Sequence, residues 1–146
     1  MGKKPNIPIE NLKTACYCRV SAERVWIYCR VDGRDTMALE MQQHHLERYA
    51  AEHGWTVAGV TAEMCNGLSL LRPGLAEMSK AVEAGCAGVV LISDLSRLCR
   101  SIDAAIYYWQ FLKQNHVRLW TLRDGGVDLS MEIAICNGLS AAKIGR

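Results

Sequence analysis

Four arginines near the ends of predicted strands have the side-chain chemistry needed to bind phosphate. They are Arg30, Arg72, Arg97 and Arg100. A guanidinium group presents a planar fork of N–H donors that can hold two phosphate oxygens at once. Several of them around one phosphate would also stabilise the extra charge of a phosphoryl-transfer transition state without a metal ion. A lone surface arginine more often makes only a weak ion pair, so this interpretation depends on the four lying together.

The elements that would position these arginines alternate between strand and helix. Apolar and β-branched runs predict strands at 25–31, 55–61, 88–92 and 117–122. Apolar periodicity predicts a helix after Thr36 as N-cap and before Gly54, a helix from Pro73 to about Gly85, one at about 102–114 and a short one at 131–136. This alternation predicts an α/β three-layer sandwich, with a mainly parallel central sheet and helices on both faces.

The predicted sheet would place all four arginines at one edge, because ligands in open α/β sheets bind beyond the carboxyl ends of the strands. Arg97 and Arg100 are three residues apart. They would share one face if their segment were helical. We therefore expect a phosphate-binding site at this edge.

A short repeat leaves the first strand open to two assignments. The sequence Tyr-Cys-Arg-Val occurs at 17–20 and again at 28–31, followed by Ser21 and Asp32 respectively. Two adjacent copies cannot both form the first strand of one sheet. The second copy is favoured, because Trp26 and Ile27 would otherwise expose apolar surface in a loop. The first copy stays as the alternative.

An ordered set of motifs resembles the resolvase/invertase family of serine site-specific recombinases. The motifs are YCRV at the end of the first strand, LEMQ at 39–42, EMCNG at 63–67 followed by RPGL at 72–75, and LSRLCR at 95–100. They cover about residues 14–122 in family-like order and spacing. Each motif alone is weak evidence, whereas the ordered set is specific.

The resemblance implies a mechanism and a partner. In this family a serine two residues after the first-strand arginine attacks a DNA phosphodiester, forming a 5′-phosphoserine link and a free 3′-hydroxyl. The arginines hold the scissile phosphate. By position, the functional residues of the family correspond to Arg30, Gln42, Arg72, Arg97 and Arg100. DNA backbone phosphates are the implied partner, with a homodimer or pairing with an intact recombinase as further expectations.

The sequence also departs from the family pattern. Asp32 occupies the nucleophile position of the favoured strand, which predicts impaired catalysis and a module that binds DNA backbone or a partner protein. The alternative is an active DNA-cleaving domain that uses Ser21. Asn66 stands where the family often has a serine. We expect a flexible arm at 1–13, a resolvase-like domain at 14–130, and a short tail at 131–146 without a DNA-binding domain.

Composition sets limits on the other functions. Half of the residues are hydrophobic, 22% are charged and the net charge is +2, so a large core is expected and any phosphate binding must come from local clustering. The seven cysteines include no CxxC pair, which argues against a zinc site, and no cofactor is predicted. No apolar segment is long enough for a signal peptide or a membrane span, which predicts a soluble cytoplasmic protein.

Overall fold

Strands and helices alternate along the chain as the sequence predicts. The structure, a computed structural model, describes the backbone of residues 23–144 and the side chains of residues 23–137. The strands are β1 (Arg24–Val31), β2 (Thr56–Met64), β3 (Val89–Ile92), β4 (Arg118–Thr121) and β5 (Gly125–Gly126). The helices are α1 (Thr36–Glu52), α2 (Pro73–Glu83), α3 (Leu95–Leu98), α4 (Ile102–Gln114) and α5 (Ser130–Ile144).

The described strands form one sheet in the order β2-β1-β3-β4-β5. The first four are parallel, and β5 runs antiparallel to β4. The favoured first strand therefore lies between β2 and β3 in the middle of the parallel part. Ser21 and the repeat at 17–20 lie outside the described residues. Because parallel strands end at one edge, the loops after β1, β2 and β3 meet there.

Hydrophobic cores lie on both faces of the sheet, which confirms the predicted sandwich. One core lies beneath α2 and α4 and includes Tyr28, Leu75, Met78, Leu98, Tyr108 and Leu112. The other lies beneath α1 and includes Val25, Ile27, Leu46, Ala50 and Leu91. All four residues of β3 are buried, as expected for a strand covered on both faces.

Several element boundaries differ from the prediction. The N-cap of α1 is Asp35 rather than Thr36, because the Asp35 carboxylate accepts a 2.9 Å hydrogen bond from the Ala38 N–H. Strand β2 continues to Met64 instead of ending at 61, and Gly125 and Gly126 form a short strand that pairs with β4. Helix α5 runs well past the predicted 131–136, since the strong helix formers at 141–143 outweigh the cost of one glycine. None of the helices within residues 23–144 is long and apolar enough to cross a bilayer.

Gly59 gives a test of the packing around β1. A Cβ atom there would lie 2.3–2.8 Å from three carbons of the Trp26 indole on the neighbouring strand. We expect Gly59→Ala to lower the free energy of unfolding by about 1–3 kcal/mol, because the indole must move. The control is Gly33→Ala, where no atom of the described residues lies within 4 Å of the new methyl group. Equal urea midpoints for the two variants would contradict this packing.

Candidate functional site

The carboxyl edge of the sheet brings together four of the predicted site residues. Arg30 is the second-last residue of β1, Asp32 follows the strand, and Arg97 and Arg100 lie in and just after α3, which follows β3. Hydrogen bonds link residues separated by 66 to 68 positions in the sequence at this edge. Arg30, Arg97 and Arg100 are called the arginine cluster below.

Arg30 is the buried member of the arginine cluster, with only 2% of its surface exposed. Its Nε donates to the main-chain oxygen of Arg97 at 2.8 Å, and its Nη2 donates to that of Ser96 at 2.7 Å. Its Nη1 donates to the main-chain oxygen of Cys65 at 2.8 Å. One guanidinium group therefore holds the loop after β2 and the helix after β3 against the end of β1.

Asp32 joins the buried and exposed arginines through its carboxylate. Its Oδ1 accepts from Arg30 Nη1 at 2.5 Å, and its Oδ2 accepts from Arg100 Nη2 at 2.8 Å. The hydrogen bond from Arg30, and then that from Arg100, hold the pKa of this carboxyl below its usual range. The side chain is 45% exposed, so the charged carboxylate faces both the cluster and solvent.

Gln42, on α1, fixes the end of β1 through the backbone of Arg30. The Arg30 N–H donates to Gln42 Oε1 at 2.9 Å, and Gln42 Nε2 donates to the Arg30 carbonyl at 3.1 Å. Arg97 Nη1 donates to the same carbonyl at 3.1 Å. Gln42 is 8% exposed, and its two hydrogen bonds to the Arg30 backbone hold the end of β1 in place.

Arg97 and Arg100 are the accessible members of the arginine cluster, with 34% and 50% of their side chains exposed. They do not share a helix face, because the helix does not reach Arg100: α3 ends at Leu98 and Cys99 has extended backbone angles. The extended residue turns the chain so that the Arg100 N–H donates to the Gly67 carbonyl at 2.9 Å. The two side chains reach the site from different backbone directions.

Arg72 lies behind the site, with 4% of its surface exposed. Its Nη2 donates to the main-chain oxygen of Leu98, and its Nε lies 3.5 Å from a carboxylate oxygen of Glu63. Its guanidinium carbon is 5.7 Å from the centre of the Tyr28 ring. Within residues 23–144, its Nε and Nη1 atoms have no hydrogen-bond partner.

Glu63 also supports the site, a role that the motifs did not predict. Its carboxylate accepts from the Tyr28 hydroxyl and, at 2.9 Å, from the Gly74 N–H in the first turn of α2. Burial, followed by the hydrogen bond to Glu63, raises the pKa of Tyr28, so the phenol remains a donor at neutral pH. The sequence held one signal for this role: Glu63 is a carboxylate near the end of a strand, and the helix start at Pro73 and Gly74 follows it.

Gly67 is the second residue that the sequence analysis gave no role. A Cβ there would lie 2.7 Å from Arg30 Nη2 and 3.3 Å from Arg100 Cγ. Only glycine lets this loop lie directly on the buried guanidinium group.

No metal centre is visible in the part of the chain that the structure describes: no three His, Cys, Asp or Glu side chains between residues 23 and 144 are grouped to hold an ion. The described site consists of guanidinium groups, one carboxylate and main-chain carbonyls.

Comparison with known proteins identifies the fold and the family. The family model described as Resolvase, N terminal domain, matches residues 14–135. The structure of the N-terminal catalytic domain of TP901-1 integrase is similar at 25% identity and a TM-score of 0.69, covering 83% of this chain and 94% of that one. The C-terminal catalytic domain of ISC1926 TnpA, an IS607-like serine recombinase, is similar at 28% identity and a TM-score of 0.65, covering 84% and 83%.

A resolvase family site-specific recombinase from Streptococcus pneumoniae, at 20% identity, has the same fold, with a TM-score of 0.68 over 84% of this chain and 89% of that one. No curated protein sequence matches the chain.

Replacing Arg30 with lysine tests its structural role. An ammonium group cannot reproduce a planar fork that serves three carbonyls and a carboxylate, so Arg30→Lys should lower the free energy of unfolding by about 2–4 kcal/mol. The matched control is Arg100→Lys, in which the half-exposed side chain should cost less than about 1 kcal/mol. Urea unfolding measures both, and similar losses would contradict the assignment of Arg30 as the buried support.

The ion pairs of Asp32 give a pH-dependent prediction. A carboxyl whose pKa is lower in the folded state adds stability above its unfolded pKa and loses it as the pH falls through its folded pKa. Arg100→Gln removes one cause of the lowering, so the pKa of Asp32 should rise in a carboxyl-carbon NMR titration. Asp128 is the internal control: its pKa is also lowered, but by hydrogen bonds from Ser130, so Arg100→Gln should leave it unchanged. A rise at both residues, or at neither, would contradict the pairing.

Proposed function

Because this chain belongs to the resolvase family of serine site-specific recombinases, we propose that it binds DNA backbone phosphate at the carboxyl edge of its sheet without cleaving the DNA. The observation that carries the proposal is the position of Asp32. It lies two residues after Arg30, where the family resemblance places the nucleophilic serine, and its carboxylate is bound to Arg30 and Arg100.

Aspartate does not replace serine in this chemistry. When serine attacks, the bond between phosphorus and the 3′-oxygen breaks, and the phosphoserine diester that forms keeps the bond energy for rejoining, whereas an acyl phosphate hydrolyses and loses the DNA end. Asp32 is also held ionised by two guanidinium groups, and a negative charge repels phosphate oxygens. We therefore expect no productive covalent step at this position.

The accessible arginines still suit weak binding to the backbone. Arg97 and Arg100 are 34% and 50% exposed, and their charge is partly offset by Asp94, 4.0 Å from Arg97 Nε, and by Asp32, 2.8 Å from Arg100 Nη2. Contacts to phosphates alone do not read sequence. Binding through this edge should therefore be sequence-independent and strongly dependent on salt concentration.

A second candidate function, an active recombinase domain, is supported by the sequence repeat. Ser21 follows a copy of Tyr-Cys-Arg-Val identical to the one that precedes Asp32. Among the described residues, the side-chain hydrogen bonds of Gln42 go to the backbone of residue 30, so its amide would also suit an arginine from the first copy. This candidate requires the first copy to occupy the central strand position.

One DNA assay separates the two candidates. The wild-type chain is incubated with duplex DNA, denatured, and examined for a covalent protein–DNA adduct, while non-covalent binding is measured as a function of salt concentration. We expect no adduct. We also expect binding that weakens in Arg97→Ala, with the slope of log affinity against log salt smaller in magnitude by about 1, because one phosphate contact is lost.

The control variant is Arg118→Ala, which removes an exposed arginine near the opposite end of the strands. Equal weakening by Arg118→Ala would contradict binding at the carboxyl edge. An adduct that disappears in Ser21→Ala and persists in Asp32→Asn would contradict the non-cleaving function and establish the second candidate.

A further inference from the structure

We propose that the Asp32 carboxylate is a built-in occupant of the anion site formed by Arg30 and Arg100, and that it must move aside before a phosphate group can bind both arginines. The inference rests on the proposed function, since it concerns the same edge of the sheet. It adds that the chain is inhibited by its own side chain.

The geometry of the contact is that of a bound anion. The two carboxylate oxygens each take one N–H from a different guanidinium group, at 2.5 and 2.8 Å. Two oxygens of a phosphate group would be held in the same way. The other acceptors of Arg30 are main-chain carbonyls of Cys65, Ser96 and Arg97. Among these acceptors of Arg30, Asp32 is therefore the one that belongs to a side chain and can move away.

The site is fixed, whereas its occupant is free to leave. Arg30 is 2% exposed, and its backbone is held by Gln42. Asp32 is 45% exposed, so its carboxylate can turn towards solvent. The N-cap of α1 is Asp35, so a rotation of Asp32 does not uncap the helix. Within the part of the chain that the structure describes, the side-chain hydrogen bonds broken when the carboxylate moves are the two from Arg30 and Arg100.

Two negative groups cannot share this pair of arginines without cost. Repulsion between unit charges about 4 Å apart weakens binding by about fivefold in water and by several hundredfold at an effective dielectric constant of about 20. Because its pKa is lowered, Asp32 remains charged at neutral pH. Removing the charge at this residue should therefore increase the affinity of the site for an oxyanion.

The test uses inorganic sulfate, whose charge does not change near neutral pH. Wild-type chain, Asp32→Asn and Asp32→Ser are titrated at constant ionic strength, and the Nε–H resonances of the arginine cluster are followed by NMR. We expect both variants to bind sulfate at least about tenfold more tightly than the wild type, with the shifts centred on Arg30 and Arg100. The control Glu40→Gln removes the same charge from an exposed position on α1 and should stay within about twofold of the wild type.

Two results would overturn the inference. One is a sulfate affinity in both Asp32 variants that equals that of the wild type; the other is an equal gain in Glu40→Gln, which would indicate a general charge effect. If the Asp32 variants fail to gain affinity while DNA binding still depends on Arg97, the inference is wrong and the proposed function stands. If sulfate binding improves but neither wild type nor variants bind DNA, the inference stands and the proposed function is wrong.

Discussion

The carboxyl edge of this protein depends on the burial of one charged side chain. A guanidinium group removed from water must regain its lost hydrogen bonds, because a buried charge without partners is strongly destabilising. Arg30 meets this requirement with a carbonyl from the β2–α2 loop, two carbonyls from α3 and the carboxylate of Asp32. The need to satisfy one cation therefore brings the β2–α2 loop and the α3 segment to the end of β1. Gly67 is part of the same solution, since a larger residue would push the loop off the guanidinium group.

A second layer of polar contacts supports the first from the side of α2. Tyr28 and the first turn of α2 both donate to Glu63, which also lies beside Arg72. Arg72 in turn donates to the carbonyl of Leu98, the residue at which α3 ends. The start of α2 is thus connected to the segment that carries Arg97 and Arg100. Arg72 is buried and supports that segment at Leu98, which lies two residues before the exposed Arg100.

The sequence was sufficient for the fold because the fold follows from short-range patterns. The apolar run at 89–92, the helix periodicity of α1 and α4, and Pro73 at the start of α2 all act over a few residues. The arrangement of the site depends on contacts between distant residues. The motifs placed Arg30 and Arg72 among the arginines predicted to bind phosphate, but they did not show that both side chains are buried. Likewise, nothing local indicates that Gln42 bonds to the backbone of residue 30 or that Cys99 is extended.

Arg30 has a structural role that does not depend on what else binds at this edge. If Arg30 served only a bound phosphate, there would be no reason to bury a cation at this position without that phosphate. Here its guanidinium group also satisfies three main-chain carbonyls, so its loss would damage the fold whether or not any DNA is cleaved. Asp32 fits this situation, because a carboxylate neutralises the buried cation from within the chain, as a bound phosphate would from outside. The carbonyl contacts of Arg30 therefore do not require a nucleophile two residues after it.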